Sequence, residues 1–485
     1  CIADHPSDLN QALQSYQALR SVEVLKIQNA ARNSTEWFES VERYIHLPAQ
    51  QFSYSLLTRS QRISHENLRL RDASYVAAFE TWFAGPLQAP KARGLKPIPP
   101  MFTPFKVRGV TLKNRIVVSP MAQYSCRDGM PEDYHMVHLG ARAMGGAALI
   151  MTEMTCISAH ARITPGCPGL WNQDQAQGWK KIVKFIHEHS DAKIGVQLGH
   201  SGAKGSTRLA WEGIDQPLSE NNWPLLSASR QQYLPNESQW SQEITRDQMQ
   251  RIKEEFVNST KLAIEAGFDW LELHCAHGYL LSSFISPLTN LRTDEYGGDL
   301  QNRLKYPIEV FKAIRAVWPQ DKPISVRIST HDWVEGGITP DDAVMIGKYL
   351  KIAGVDMIDC SSGQVSKAEK PIYGRMFQTP MSDRIRQEAQ IPTIAVGAIS
   401  DADQVNSIIA AGRADLCAVA RPHLANPHWT LMEAAKIGYF ELEWPKPYQS
   451  GKVQMERNLE REKTMNQPQL NIATLKSQMS SGEQG

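Results

Sequence analysis

The chain has 485 residues, 42% hydrophobic and 21% charged, and its 52 Lys and Arg against 51 Asp and Glu leave a net charge of +1. That composition describes a globular protein, and its near-neutrality removes the electrostatic case for nucleic acid or an anionic membrane surface as a partner. No apolar run approaches the roughly 20 residues that cross a bilayer, so no membrane partner is expected either.

The chain opens on Cys1 without an initiator Met or a targeting stretch, and is read as a piece of a longer polypeptide. From Ser7 to about Gly85, Leu9, Ala12, Leu13, Tyr16, Leu19 and Val22 recur at three- and four-residue steps, which predicts helices and no strands. Pro90, Pro97, Pro99 and Pro100 make the stretch after Gln88 a linker. The expected division is a helical segment over 1–87, a linker over 88–99, a main domain over 100–440 and a polar tail over 441–485 that ends without order. The 7 cysteines are scattered and odd in number, which reads as reduced thiols in a cytoplasm.

The main domain has one rhythm. Apolar runs at Ile116–Ser119, Ala148–Thr152, Ile194–Leu198, Trp270–His274, Ile324–Ile328, Met357–Asp359, Thr393–Val396 and Leu416–Val419 predict eight strands. Helical periodicity separates them at Tyr134–Met144, Ala176–His189, Met249–Ala266, Tyr306–Val317, Asp341–Ile352 and Ala402–Ala411. Strands alternating with helices in this way predict an α/β fold, a (β/α)8 TIM barrel. An open doubly wound sheet would carry a Gly-rich turn after its first strand, where this chain has Ser119-Pro120-Met121. Residues 201–245, rich in Trp, Ser, Asn and Pro, follow the third strand and should overhang the mouth as a lid.

In such a barrel the residues just past each strand face the active site. In order they are Ser119-Pro120-Met121, Glu153, Gln197, His274 with His277, Arg327, Ser361-Ser362-Gly363, Gly397 and Ala420-Arg421. Gly397 and Arg421 follow strands seven and eight, the usual barrel phosphate site, where bare backbone and a bidentate cation meet a dianion. Arg327 in an enclosed mouth needs an anion or a polarised partner, either a cofactor edge or a barrel carboxylate such as Asp359 or Glu272. Gln197 hydrogen-bonds either a cofactor edge or a neighbouring backbone group. His274 and His277 could be metal ligands, core residues or paired donors. Their spacing lacks the Glu and the i,i+4 geometry of a zinc helix, so no metal is expected. With Tyr279 beside them, the two imidazoles favour a clamp on a carbonyl oxygen.

Residues from about Pro100 to Tyr439 resemble the Old Yellow Enzyme family, the FMN-dependent ene-reductases, in its bacterial, thermophilic-like branch. The resemblance rests on Leu112-Lys113-Asn114-Arg115-Ile116, Ser119-Pro120-Met121 and Glu272 to Leu280. Arg292-Thr293-Asp294-Glu295-Tyr296-Gly297-Gly298 with Asn302-Arg303, Val326-Arg327, Ile358 to Gly363 and Gly412-Arg413-Ala414-Asp415 extend it. It implies FMN at the barrel mouth, lined by Ser119, Pro120, Met121 and Glu153, with Gln197 and Arg327 on the pyrimidine edge and Gly397, Ala420 and Arg421 on the phosphate. It further implies NAD(P)H as electron donor, a small-molecule substrate touched by Tyr124, His274 and His277, Tyr279 as proton donor, and a homo-oligomer. Two positions depart from the family pattern: Ala122 stands where that branch carries a cysteine, and Ala420 where Gly is usual. No cysteine follows Cys417, so the iron–sulfur cluster of the family's larger members has no ligands here.

The helical segment has its own likeness. Leu13-Gln14-Ser15-Tyr16 with Arg20, Gln28-Asn29-Ala30-Ala31, Ser34 to Arg43, Gln51-Phe52-Ser53 to Arg59-Ser60 and Leu68 to Asp72 resemble the helical end of an aromatic-ring flavin hydroxylase. A hydroxylase followed by an ene-reductase barrel is similar to the bifunctional anthraniloyl-CoA monooxygenase and salicylyl-CoA 5-hydroxylase proteins. That implies a CoA thioester as substrate, and FAD only in an upstream domain. The alternatives are a stand-alone enone or xenobiotic reductase and a flavin-binding scaffold without catalysis.

Overall fold

The computed structural model describes residues 1, 3–85 and 97–466, so most of the expected linker and the final part of the tail lie outside the described residues. The N-terminal segment is helical as its periodicity requires: α1 (Leu9–Glu39), α2 (Ala49–Leu57), α3 (His65–Arg71) and α4 (Ala73–Ala84). Side-chain caps set three of the starts. Asp8 accepts from Gln11 N, Ser64 exchanges bonds with Asn67, and Asp72 accepts from Tyr75 N.

After the linker, β1 (Phe105–Val107) and β2 (Val110–Leu112) form an antiparallel hairpin. The repeating units follow: β3 (Ile116–Val118) with α5 (Asp133–Met144), β4 (Leu149–Cys156) with α6 (Gln173–His189), and β5 (Lys193–Gly199). The lid holds a 3-10 turn over Gly202–Lys204, α7 (Ala210–Gly213) and the two-residue strands β6 (Leu226–Ser227) and β7 (Gln242–Glu243), before α8 (Arg246–Ala266). Next come β8 (Trp270–Cys275), α9 (Leu280–Ile285), α10 (Leu300–Val317), β9 (Ile324–Ser329), α11 (Pro340–Ala353), β10 (Met357–Ser361) and α12 (Thr379–Arg384). The chain continues through β11 (Thr393–Val396), α13 (Ala402–Ala410), β12 (Leu416–Val419), α14 (Arg421–Ala425), α15 (Trp429–Lys436) and α16 (Gln449–Asn466).

The eight strands β3, β4, β5, β8, β9, β10, β11 and β12 close in that order into a parallel barrel, with β12 pairing back onto β3. Both faces of each strand are covered, so seven of the eight are buried at every position and only Lys193 of β5 is not. This is why they read as unbroken apolar runs and not as alternation. Inside, Val117, Leu149, Met151, Trp270, Met357, Ile394 and Leu416 form one apolar layer, plugged from the N-terminal end by Val107, Val110 and Leu112 of the hairpin.

The sequence pattern marks every barrel strand but neither the hairpin nor the helices after the sixth and eighth strands. Those helices are short: α12 passes after six residues into a π-helical turn over Ile385–Ala389. Within the expected tail the chain forms α16, a helix that composition did not mark, and the stretch expected to end without order lies outside the described residues. No helix among the described residues is long and apolar enough to cross a membrane.

The helical segment rests against the seventh unit of the barrel. Tyr54, Leu68, Val76 and Phe79 share a buried cluster with Ala410 and Ala411 at the end of α13. Polar contacts fix the fit: His65 N donates to Ser407 Oγ (2.9 Å), Glu66 N to Asp403 Oδ1 (2.8 Å) and Tyr44 Oη to Asp383 Oδ2 (2.8 Å).

Candidate active site

Side chains alternate along a strand, so residues two apart share a face. On β8 this carries Trp270 into the apolar layer, Glu272 one level up and His274 to the mouth. Each level has cross-strand partners: Trp270 Nε1 donates to Ser325 Oγ (2.9 Å), and Glu272 accepts from Gln197 Nε2 (2.8 Å) and Ser325 Oγ (2.9 Å). On β9 and β10 the same parity places Arg327 beside Asp359, with Nε 3.5 Å from Oδ2.

This middle layer is charged and nearly dry. Burial, reinforced by the nearby Asp359, pushes the Glu272 carboxyl up to about 7 against the opposing pull of Arg327, Gln197 and Ser325. Burial also raises Asp359, although Arg327 works the other way. Arg327 Nε and Asp359 Oδ1 are both buried without a hydrogen-bond partner. Arg327 therefore sits by a barrel carboxylate, yet its donors are not fully used.

Above this layer three rings converge. His274 lies with its ring centroid 5.1 Å from that of His277 and 5.0 Å from that of Tyr279, edge to face in both cases. His277 takes a left-handed backbone (φ 64°), which turns the chain back over the mouth. Its N–H donates to Ser329 Oγ (2.9 Å), and its Nε2 meets Ser361 Oγ at 2.7 Å. His274 Nδ1 accepts from Ala276 N (3.3 Å), which leaves the ring proton on Nε2. Burial, then the Arg327 charge, holds both imidazoles well below the usual histidine range, so both are neutral. Tyr279 is pushed well above the usual phenol range by burial and by Tyr124, and its hydroxyl has no hydrogen-bond partner among the described residues.

The other expected residues distribute as follows. Ser119 ends β3 with its N–H on Val419 O (3.2 Å), tying the first strand to the eighth, and Pro120 and Met121 continue half-buried from it. Glu153 is bonded to two protein groups. Its carboxylate accepts from Gln123 N (2.7 Å) and pairs with His135 Nε2 (3.1 Å), so it holds the loop after β3 in shape. Gln197 spends its amide N–H on Glu272 and not on a backbone group. Tyr124, in the same loop with φ 49°, approaches Trp211 of the lid at 6.4 Å. Ala122 is exposed, whereas Cys126 is buried against His135 Nε2 (3.5 Å) with its thiol pushed up by burial. Gly397 has φ 110°, which a side chain would strain, and Gln378 leaves no room for a Cβ. Ala420 caps α14, and the exposed Arg421 guanidinium makes no hydrogen bond or ion pair among the described residues.

Sequence reasoning missed Lys204. This buried lid residue donates to His277 O (2.9 Å) and Gln364 O (3.0 Å), and its Nζ lies 4.2 Å from the Tyr233 ring centroid and 5.2 Å from that of Tyr279. Burial draws its ammonium down to about 8. A cation in a stretch expected to overhang an enclosed mouth was the available signal, the same one that singles out Arg327. Lys367 and Asp215, paired at 2.6 Å, add a second tie between the lid and the loop after β10.

The sequence profile of the NADH:flavin oxidoreductase / NADH oxidase family matches residues 100–467. NADPH dehydrogenase of Geobacillus sp. is 39% identical over 340 residues, 70% of this chain and 94% of that protein. NADPH dehydrogenase of Halalkalibacterium halodurans is 40% identical over 340 residues, 70% of this chain and 95% of that protein. Among solved structures, morphinone reductase is 25% identical with a TM-score of 0.59, covering 72% of this chain and 92% of its own. A 2-naphthoyl-CoA reductase shares the fold at 21% identity and a TM-score of 0.64, covering 70% of this chain and 53% of the other. The residues present suit FMN: an underused buried guanidinium at the centre of the mouth, a bare positive-φ glycine after β11, and an unpaired arginine after β12. The chain belongs to the NADH:flavin oxidoreductase / NADH oxidase family and is an FMN-dependent, NAD(P)H-dependent oxidoreductase.

Proposed function

We propose that the enzyme reduces a C=C bond conjugated to a carbonyl, with His274 and His277 holding the carbonyl oxygen and Tyr279 protonating the α-carbon. The observation that carries this reading is the convergence of those three rings over the barrel mouth. FMN, when bound, passes the reducing equivalents of NAD(P)H to the alkene.

The remaining requirements fall to the protein. His274 offers a neutral Nε2–H. A Ser361 hydroxyl donating to His277 Nε2 leaves that ring's proton on Nδ1 as a second neutral donor. Two fixed donors in a water-poor site stabilise charge developing on oxygen without reorganising. Tyr279 keeps its proton at neutral pH, so it is in the right state to give it up to a carbanion. Arg327 and Gln197 would bind the pyrimidine edge of FMN, Ser119, Pro120 and Met121 would line it, and Gly397, Ala420 and Arg421 would hold its phosphate. Glu153 acts through the loop that presents Tyr124 to the substrate.

As substrate we propose a ring derived from an aryl-CoA, supplied by a hydroxylase of which α1–α4 are the C-terminal part, in a cytoplasmic homo-oligomer. The sequence likeness of α1–α4 to a hydroxylase end and their tight seat on α13 support this setting. Rapid mixing of the NAD(P)H-reduced holoenzyme with cyclohexenone tests the chemistry. His274→Ala and Tyr279→Phe should each slow alkene reduction by about 100-fold or more, while NAD(P)H oxidation with an artificial electron acceptor stays unchanged. Equal rates in the variants and the wild type would remove the clamp assignment.

A further inference from the structure

We infer that a second small-molecule site lies outside the barrel mouth, in a cleft between the N-terminal helices and the loop after β10. It takes a phosphorylated adenosine diphosphate, the group common to NADPH and to CoA thioesters. The inference names a handle on the donor or the substrate, and in its substrate form it rests on the ene-reductase reading above.

The cleft encloses about 630 Å³, with α1 and the loop before α3 on one side and residues 372–376 on the other. That volume lies within the roughly 300–1,000 Å³ of typical ligand pockets. Its floor is Arg413, 3% exposed, which donates through Nη2 to Thr58 O (2.7 Å) and Thr58 Oγ1 (3.1 Å). No carboxylate comes within 4.0 Å of this guanidinium among the described residues. The buried Asp383 acts on it at longer range and is already bonded by Tyr44 Oη (2.8 Å), so the Arg413 donors that Thr58 does not use remain open to an anion in the cleft.

Two more cations stand at the rim. The Arg62 side chain is exposed and makes no hydrogen bond or ion pair among the described residues, and Arg375 reaches Asp401 only at 3.7 Å. Asp403 is the one carboxylate in the lining, and its Oδ1 already accepts from Glu66 N at 2.8 Å. Three guanidiniums against one engaged carboxylate select an anion of more than one charge, and guanidinium forks match phosphate oxygens. Tyr373 on the rim is 71% exposed and presents a ring to which a base can stack.

The location suits a ligand with two ends. The wall over 372–376 continues the loop that Lys204 holds at Gln364, and Met376 N donates to Ala398 O (3.2 Å) beside Gly397. The cleft wall and the loop that carries Gly397 are thus joined directly. None of these arginines belongs to the clamp or to the Gly397 and Arg421 pair.

The test uses the FMN-loaded chain, with adenosine 2′,5′-bisphosphate and adenosine 3′,5′-bisphosphate as calorimetric probes. At least one should bind, and the exposed double substitution Arg62→Ser with Arg375→Ser should weaken it about tenfold or more. Kinetics then separate the sources. A raised KM for NADPH with unchanged kcat and unchanged NADH kinetics assigns the cleft to the donor. A raised KM for an enoyl-CoA, with its N-acetylcysteamine counterpart unaffected, assigns it to the substrate. Failure of both probes to bind, or binding that the double variant leaves intact, overturns the inference. Cyclohexenone reduction with NADH involves no such group, so its absence in the wild type would refute the ene-reductase reading without altering what calorimetry shows of the cleft.

Discussion

Two of the buried charge clusters in this molecule are treated differently. In the helical segment, Tyr54 Oη meets His65 Nδ1 (2.7 Å), His65 Nε2 meets Glu80 Oε1 (3.0 Å), and Arg69 Nη2 donates to the same oxygen (2.7 Å). Burial opposes ionisation of Glu80, yet the His65 and Arg69 bonds outweigh it and hold the carboxyl below its usual range. In the barrel, Arg327 and Asp359 stand 3.5 Å apart with one buried atom of each unpartnered, and Glu272 is pushed up to about 7. A saturated cluster has completed its work on folding. An unsaturated one keeps binding capacity in reserve, and it lies where the cofactor is expected.

That contrast can be broken most directly at Glu80. Glu80→Ala strips the buried His65 of its carboxylate and leaves Arg69 with Glu66 alone, which should cost about 1–3 kcal/mol of stability, read by denaturant unfolding, while the folded fraction keeps FMN. Arg327→Ala should do the reverse. FMN affinity should fall by about 10- to 100-fold, the scale of a charged hydrogen bond, with a smaller loss of stability because the raised Asp359 can take up a proton. Flavin release on dilution, set beside thermal unfolding, distinguishes the two. If Glu80→Ala loses flavin while Arg327→Ala only unfolds, the division of labour is wrong.

Glu272 sharpens the comparison through pH. Its carboxyl is raised from 4.5 to about 7 in the folded protein, so between those values the native state binds more protons than the unfolded one. Its contribution to stability is therefore fully present below about 4.5 and is lost as pH rises toward about 7. Glu272→Gln, which can still bond Gln197 and Ser325, should flatten that part of the stability profile of the flavin-free protein. An unchanged slope would mean that Glu272 is ionised in the fold. The smallest expected effect is at Cys126: with Ala122 at the mouth and the Cys126 thiol buried and raised, alkylating reagents should leave activity nearly unchanged. Inactivation mapped to Cys126 would place a thiol in the working site.

The barrel was legible in the chain because its strands are covered on both faces and so appear as apolar blocks, from Ile116 to Val419. His274, His277, Tyr279 and Arg327 were legible because polar groups at the ends of such blocks have few structural uses. What escaped lacks a period. The β1–β2 hairpin offers three residues a strand, α12 and α14 are too short to show a helical face, and Lys204 sits in a loop whose path depends on contacts far along the chain. Position on a strand put Glu153 at the mouth but could not reveal that its carboxylate also bonds Gln123 N and His135 Nε2.

The alternation along β8 has a consequence for how this protein can change over generations. Trp270, Glu272 and His274 share one phase with a step of two, and Leu271, Leu273 and Cys275 hold the other. Losing or gaining one residue there would exchange the phases, turning leucines toward the reacting centre and a carboxylate into the helical shell. The lid between β5 and α8 has no such phase to keep apart from its anchors at Lys204 and Asp215. Drift in length is thus open to the segment that covers the substrate and closed to the strand that carries the chemistry, so relatives can acquire new substrates while keeping the same reaction.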